Sequence, residues 1–303
     1  MISYAQNFED IVLNRVFRKQ DSGFYIDVGA MDPEEGSITK AFYDRGWRGI
    51  NIEPDTRFHT KLCANRVRDI NLNVAVGDVS ETRRFFAFED QGISTFSERF
   101  RDYFVERGRP FKETVCSVTT LAEICHAYVG EPIDFLKIDA EGWEGAVLRG
   151  ADWTNFRPHV LLLEATEPYS HKPLWAEWEP FLLEKCGYIF VYFDGLNRFY
   201  VREENQELSE HFAFPVNVLD EFQLSATVRA EERATQAQQL LCEQQVETRE
   251  LKDELAQAQA QLHDSEAETV RLKNRLAAVQ GELLEMKLWV GRLSEEVAAA
   301  KVR

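Results

Sequence analysis

Along the first 219 residues, short β-branched and aromatic runs alternate with stretches whose apolar positions recur at helical spacing, at the interval of a βα unit. The runs predict strands at 24–28, 49–53, 70–76, 134–138, 160–164, 188–193 and 198–201. Helical spacing predicts helices at 38–45, 57–66, 120–127, 144–148 and 175–185. Several strands are unbroken apolar runs, such as Leu161-Leu162-Leu163, as expected where helices cover both faces of a sheet. This α/β pattern predicts a mostly parallel, doubly wound sheet of seven strands. Asp194-Gly195-Leu196-Asn197 joins the last two strands and has room only for a tight turn, so the sheet should end in an antiparallel hairpin. A further pair of β-rich segments, 83–88 and 114–118, predicts an edge ribbon.

The pattern changes near residue 220. Beyond Phe222 the only aromatic residue is Trp289, no proline follows Pro215, and Ala, Gln, Glu, Leu, Arg and Lys dominate. With a set at Leu241, apolar residues fill fourteen of 18 a and d positions over nine heptads, the exceptions being Gln244, Thr248, Ser265 and Thr269. A 3.5-residue period held that long predicts one long α-helical coiled coil over 220–303, following a globular domain over 1–219. It implies a homo-oligomer or a coiled-coil partner protein, with a lone solvated helix or a stripe folded back on the globular domain as the alternative.

Composition and charge narrow the function. Fifty-two acidic against 35 basic residues give a net charge of -17, divided as -12 before residue 220 and -5 from residue 220 onward. A chain this acidic repels a phosphate backbone, so nucleic acid is not an expected partner. Five cysteines without a CxxC pair suggest reduced thiols, and no HxxxH pair occurs. No apolar block resembles a signal peptide or a membrane span, and a cytoplasmic protein is expected. The patterns GxSxG and GxxxxGK[ST] are missing, which argues against a serine hydrolase and a P-loop NTPase.

In sheets of this kind ligands bind at the carboxyl ends of the strands. The first run ends in Asp27-Val28-Gly29-Ala30-Met31-Asp32, where one glycine lets a ligand approach the backbone, but the GxGxxG of a dinucleotide site is incomplete. Glu53 ends the second run and can accept hydrogen bonds from both ribose hydroxyls. Ala75 lies near the end of the third run and Asp78 follows it, a small and a short polar side chain suited to an adenine. Asp139 and Glu141 follow the fourth, and Glu164 ends the fifth. These last three carboxylates could also hold Mg²⁺, though nothing in their spacing demands it. Arg99, Arg101, Arg107, Arg109 and Lys112 fall within 14 residues and could bind an anionic acceptor, or form a solvated face. Trp143, Tyr169, Trp175 and Trp178 could stack on a sugar or pack in the core.

Four stretches resemble the FkbM family of S-adenosylmethionine-dependent methyltransferases: the eight residues from Ser3 to Asp10, FYIDVGAMDPEEGSITKAFYDRGWRGINIEP from Phe24, NVAVGD from Asn73, and DFLKIDAEGWEGAVLRGADW from Asp134. The resemblance covers about residues 1–205 and implies a Rossmann-like, seven-stranded class I methyltransferase sheet with S-adenosylmethionine as cofactor. It implies that Asp27, Gly29 and Ala30 frame the methionine end, with contacts from Asp32 and Ser37. It further implies that Glu53 holds the ribose, Asp78 faces the adenine beside Ala75, and Asp139 and Glu141 lie near the sulfonium and the acceptor. Met31 and Asp32-Pro33-Glu34-Glu35 depart from the family's usual loop.

The expected reaction is O-methyl transfer to a hydroxyl of a sugar or glycan precursor, with Asp139 as general base and Glu141, Glu164 and His171 as rivals. The alternatives are a non-catalytic coiled-coil scaffold with a methyltransferase-like binding domain, and an NAD-dependent oxidoreductase, which the missing glycines disfavour.

Overall fold

The computed structural model describes residues 1–89, 93–260 and 266–301. The heptad positions Leu262 and Ser265 lie outside them. The chain divides into two compact units, the first holding residues 3–222 and the second 223–303.

The first unit is built on a seven-stranded sheet of β1 (Phe24–Val28), β2 (Arg48–Ile52), β3 (Ile70–Leu72), β4 (Phe135–Ile138), β5 (Val160–Glu164), β6 (Tyr188–Phe193) and β7 (Asn197–Arg202). Their order is β6-β7-β5-β4-β1-β2-β3. The strands β3, β2, β1, β4 and β5 run parallel, and β7 enters antiparallel between β5 and β6. This is a Rossmann-like sheet with the expected terminal hairpin, whose Asp194 Oδ1 accepts the N–H groups of Leu196 and Asn197 at 2.8 and 2.6 Å.

Alternation along the strands feeds two cores. Phe24, Ile26 and Val28 of β1 pack with Leu161 and Leu163 of β5 on one face. Tyr25, Val160 and Leu162 pack on the other with Phe42, Trp47 and Phe135. Local signals set several helix starts: Asp55 caps Thr56–Asn65, and Thr120 with Glu123 forms a capping box on Leu121–Tyr128.

Two expectations need correction. The run 70–76 is not one strand: β3 stops at Leu72, and Ala75–Gly77 pairs with Phe111–Thr120 in a separate three-stranded sheet that also takes Glu81–Phe88. Between them Asn73 donates its side-chain amide to the carbonyls of Glu53 and Pro54, at 2.9 and 3.0 Å, which anchors the change of sheet. The expected edge ribbon therefore belongs to this smaller sheet.

The second correction concerns the tail. Its described residues form two helices of 36 residues each, Ser225–Ala260 and Glu266–Lys301. They pack on each other through Leu251, Leu272 and Val279, supported by Leu255, Ala258 and Leu276. An ion pair of 2.6 Å between Lys301 and Glu231 joins the end of one helix to the beginning of the other, so they run antiparallel. The heptad stripe thus finds its partner within the chain. Among the described residues no helix is long and apolar enough to cross a membrane.

Candidate active site

The carboxyl ends of β1, β2, β4 and β5 open on one cavity of about 630 Å³. At the end of β1, Gly29 adopts φ +76°, and a Cβ there would stand 1.9 Å from the carbonyl oxygen of Asp139. Only glycine allows the loops after β1 and β4 to pass this close. The loop is fastened to β2: Gly29 and Ala30 donate to the Ile52 carbonyl, and Met31 N–H donates to Glu53 Oε2 at 2.9 Å.

Glu53 also accepts the N–H of Asp55 through Oε1 at 2.7 Å. Each carboxylate oxygen carries a second lone pair, so both can still accept from a ligand. Burial pushes the Glu53 pKa up to about 7, against the two backbone hydrogen bonds that favour the anion.

After β4 the backbone coils around another carboxylate. Glu144 Oε1 accepts the N–H groups of Ala140 and Gly142, each at 3.0 Å. Gly142 has φ +86°, and a Cβ would strike the Phe100 ring at 2.1 Å, so the loop sits directly against the helix Glu98–Glu106. This turn brings Asp139 and Glu141 to the cavity beside Glu164 of β5, with one oxygen from each within 4.8 Å of the others. The residues Glu141 and Glu164 are half-buried, but their Oε2 atoms are closed to solvent and accept no hydrogen bond. Burial and then the neighbouring negative charges hold both carboxyls well above the usual carboxylate range. Oxygens this close can share protons, and they belong to the donor class that hard cations take.

Of the other expected site residues, Ala30, Ser37 and Ala75 line the cavity with Asp27. The Ser37 hydroxyl accepts from the buried Arg66 at 2.8 Å. Asp32 and Asp78 do not line it. Asp32 caps the turn at Glu34 and Glu35 and pairs with Lys61 at 2.8 Å, while Asp78 lies 3.6 Å from Arg149. His171 is exposed and also stands off the cavity. Trp143 and Tyr169 are on its wall, whereas Trp178 is in the core and Trp175 lies against Phe193.

None of the basic segment 99–112 reaches the cavity. Arg99 pairs with Glu167, Arg101 with Asp102, Arg107 donates to the Tyr103 carbonyl, and Lys112 lines a different cavity.

Several wall residues are ones to which the sequence assigned no role. Tyr4, Gln6 and Glu9 come from the beginning of the sequence, Asn197 from β7 and Lys137 from β4. Glu9 is fixed by Asn197 Nδ2 and Asn7 N–H, both at 2.8 Å. The lysine of KIDAEG was visible within its motif, but its direction became clear only from the strand register, which places Lys137 opposite Asp27.

Residues 27–190 match the family described as the Methyltransferase FkbM domain, more than half of the chain. The chain belongs to the FkbM methyltransferase family. No curated protein matches it. Among solved structures, the O-methyltransferase from Bacillus cereus in complex with SAH is 14% identical with a TM-score of 0.34, over 66% of this chain and 80% of that one. The cofactor-bound Rv0187 from MTB is 11% identical with a TM-score of 0.34, over 67% and 82%. The FkbM match runs from the end of β1 through β5 and takes in the carboxylates Asp27, Glu53, Asp139, Glu141 and Glu164.

Proposed function

We propose that this FkbM-family chain is an S-adenosylmethionine-dependent O-methyltransferase whose acceptor is a sugar or glycan precursor presenting a hydroxyl and no anionic group near it. The observation that carries the reading is the placement of Glu53 and the Asp139, Glu141 and Glu164 carboxylates on one cavity at the strand ends.

The residues fit the cofactor. Glu53 would hold the ribose hydroxyls through its two oxygens, Gly29 and Ala30 line the cavity where the methionine end would lie, and Ala75 leaves room for a flat base. When bound, S-adenosylmethionine supplies an electrophilic methyl group. Asp139, with its side chain 40% exposed, takes the proton from the acceptor hydroxyl and can return it to water. Glu141 and Glu164, pushed toward their protonated forms, can donate to or accept from neighbouring hydroxyls of the acceptor. Trp143 and Tyr169 offer ring faces to a sugar.

The absence of anionic groups follows from the lining. Nine carboxylate residues, from Glu9 to Glu167, face the cavity, and Lys137 is the one cation among its described lining residues. A phosphate or uronate would be repelled there.

Calorimetric titration of S-adenosylmethionine and S-adenosylhomocysteine into wild type and Glu53→Ala tests the cofactor reading. Binding that is lost or weakened at least tenfold in the variant supports it. No binding to folded wild type removes it and favours the scaffold. An acceptor panel of neutral, amino, phosphorylated and uronic sugars then tests the acceptor, with turnover expected outside the last two groups.

A further inference from the structure

The lysine at the base of the cavity has no part in the reaction outlined above. Its side chain is 8% exposed, and its ammonium donates to the Gly29 carbonyl at 2.5 Å. The same nitrogen lies 3.2 Å from Asp27 Oδ1 and 3.5 Å from Asp139 Oδ2. The loop after β1, the end of β1 and the end of β4 therefore meet on one side chain. The residue facing it across the parallel pair β1 and β4 is Asp27, so the register itself delivers the contact.

Two consequences follow from elementary electrostatics. The tether fixes the Gly29 carbonyl where the close approach to Asp139 already leaves no room for a Cβ, and so shapes the turn. The positive charge also offsets part of the field of the carboxylates it faces, Asp27 and Asp139, a field that favours any positively charged ligand over an uncharged one of the same shape.

We propose that Lys137 is a positioning residue of the cofactor site, which joins the Gly29 carbonyl, Asp27 and Asp139 into one arrangement and limits the preference of the cavity for a positively charged ligand. The inference rests on the S-adenosylmethionine reading. That cofactor and S-adenosylhomocysteine are a matched pair for the purpose, because the methyl group that distinguishes them brings the sulfonium charge.

The test is calorimetric titration of both compounds into the full chain, as wild type, Lys137→Met, Lys137→Gln and Lys137→Arg, with thermal melts to establish folding. The methionine variant should bind both compounds more weakly. Its affinity ratio of S-adenosylmethionine to S-adenosylhomocysteine should rise about tenfold, the size of one nearby charge at intermediate dielectric. Glutamine keeps a donor for the Gly29 carbonyl without the charge, and should show the same rise in ratio with a smaller loss of affinity. Arginine keeps the charge and should hold the wild-type ratio within about twofold.

Equal weakening of both compounds in the neutral variants, or no change in either, would overturn the proposal, since a merely structural lesion leaves the ratio alone. Neutral variants that fail to fold while Lys137→Arg folds would also overturn it by making the lysine a residue of folding only. Wild type that binds neither compound would instead remove the cofactor reading, so the two failures are distinguishable.

Discussion

At the residue scale the site depends on two demanding positions, Gly29 and Glu53. Alanine at Gly29 would have to occupy φ +76° and stand 1.9 Å from a backbone oxygen that cannot swing aside as a side chain can. We expect Gly29→Ala to lose at least 2 kcal/mol of stability in denaturant titration and to lose cofactor binding. Glu53 gives a pH signature. A ribose hydroxyl that donates to its carboxylate prefers the ionised form, and burial places the pKa at about 7. Below that value binding must first remove a proton, so affinity should rise with pH and level off above about 7, being roughly tenfold weaker at pH 6 than at pH 8. Titrations at the two pH values, with Glu53→Gln as the flat control, check it. Gly29, Glu53 and Asp139 were legible because each follows a strand whose end the hydrophobic pattern predicts. Asp32 and Asp78 also stand next to strand ends, but there a side chain can turn toward a local backbone or an ion pair, as both do.

At the element scale the strands were the most legible part, because period-two burial on two covered faces leaves unbroken apolar runs. Partners were less legible than elements. The run 70–76 has one continuous β pattern, yet Asn73 ties the chain to Glu53 and Pro54 and passes it to another sheet. Helix Glu9–Phe17 was not predicted, and its N-cap is Phe8 at φ +64°, where no Ser, Thr, Asp or Asn announces a start. The tail repeats the lesson: a heptad stripe specifies a seam and leaves open which helix fills it. Leu251, 2% exposed within that seam, is the position to truncate. Leu251→Ala should destabilise the helical pair by about 2 to 4 kcal/mol, seen as earlier loss of helical circular dichroism on heating. The loop on Glu144 offers a matching test. Glu144→Ala would leave the Ala140 and Gly142 N–H groups without their acceptor, at a cost of about 1 to 3 kcal/mol and with weaker cofactor binding.

At the scale of the whole molecule, acidity is the dominant property. Burial raises the carboxyls of Glu9, Glu53 and Glu144 to about 7 from an ordinary value of 4.5. Between those values the folded chain holds protons that the unfolded chain has released. Stability should therefore fall as pH rises from about 4.5 to 7, by about 1 kcal/mol per pH unit for each such proton, and melts across that range measure the slope. The cavity wall has a different consequence, one of timing. Glu9 is held by Asn197, 188 residues later, and Asn7 donates to the Asp194 carbonyl, 187 residues later. During synthesis the opening segment must wait until the last hairpin of the sheet has left the ribosome before its wall of the cavity can close. Loop closure over such a distance is slow and entropically costly. Competence for ligand should accordingly appear late in refolding, after the parallel strands have assembled.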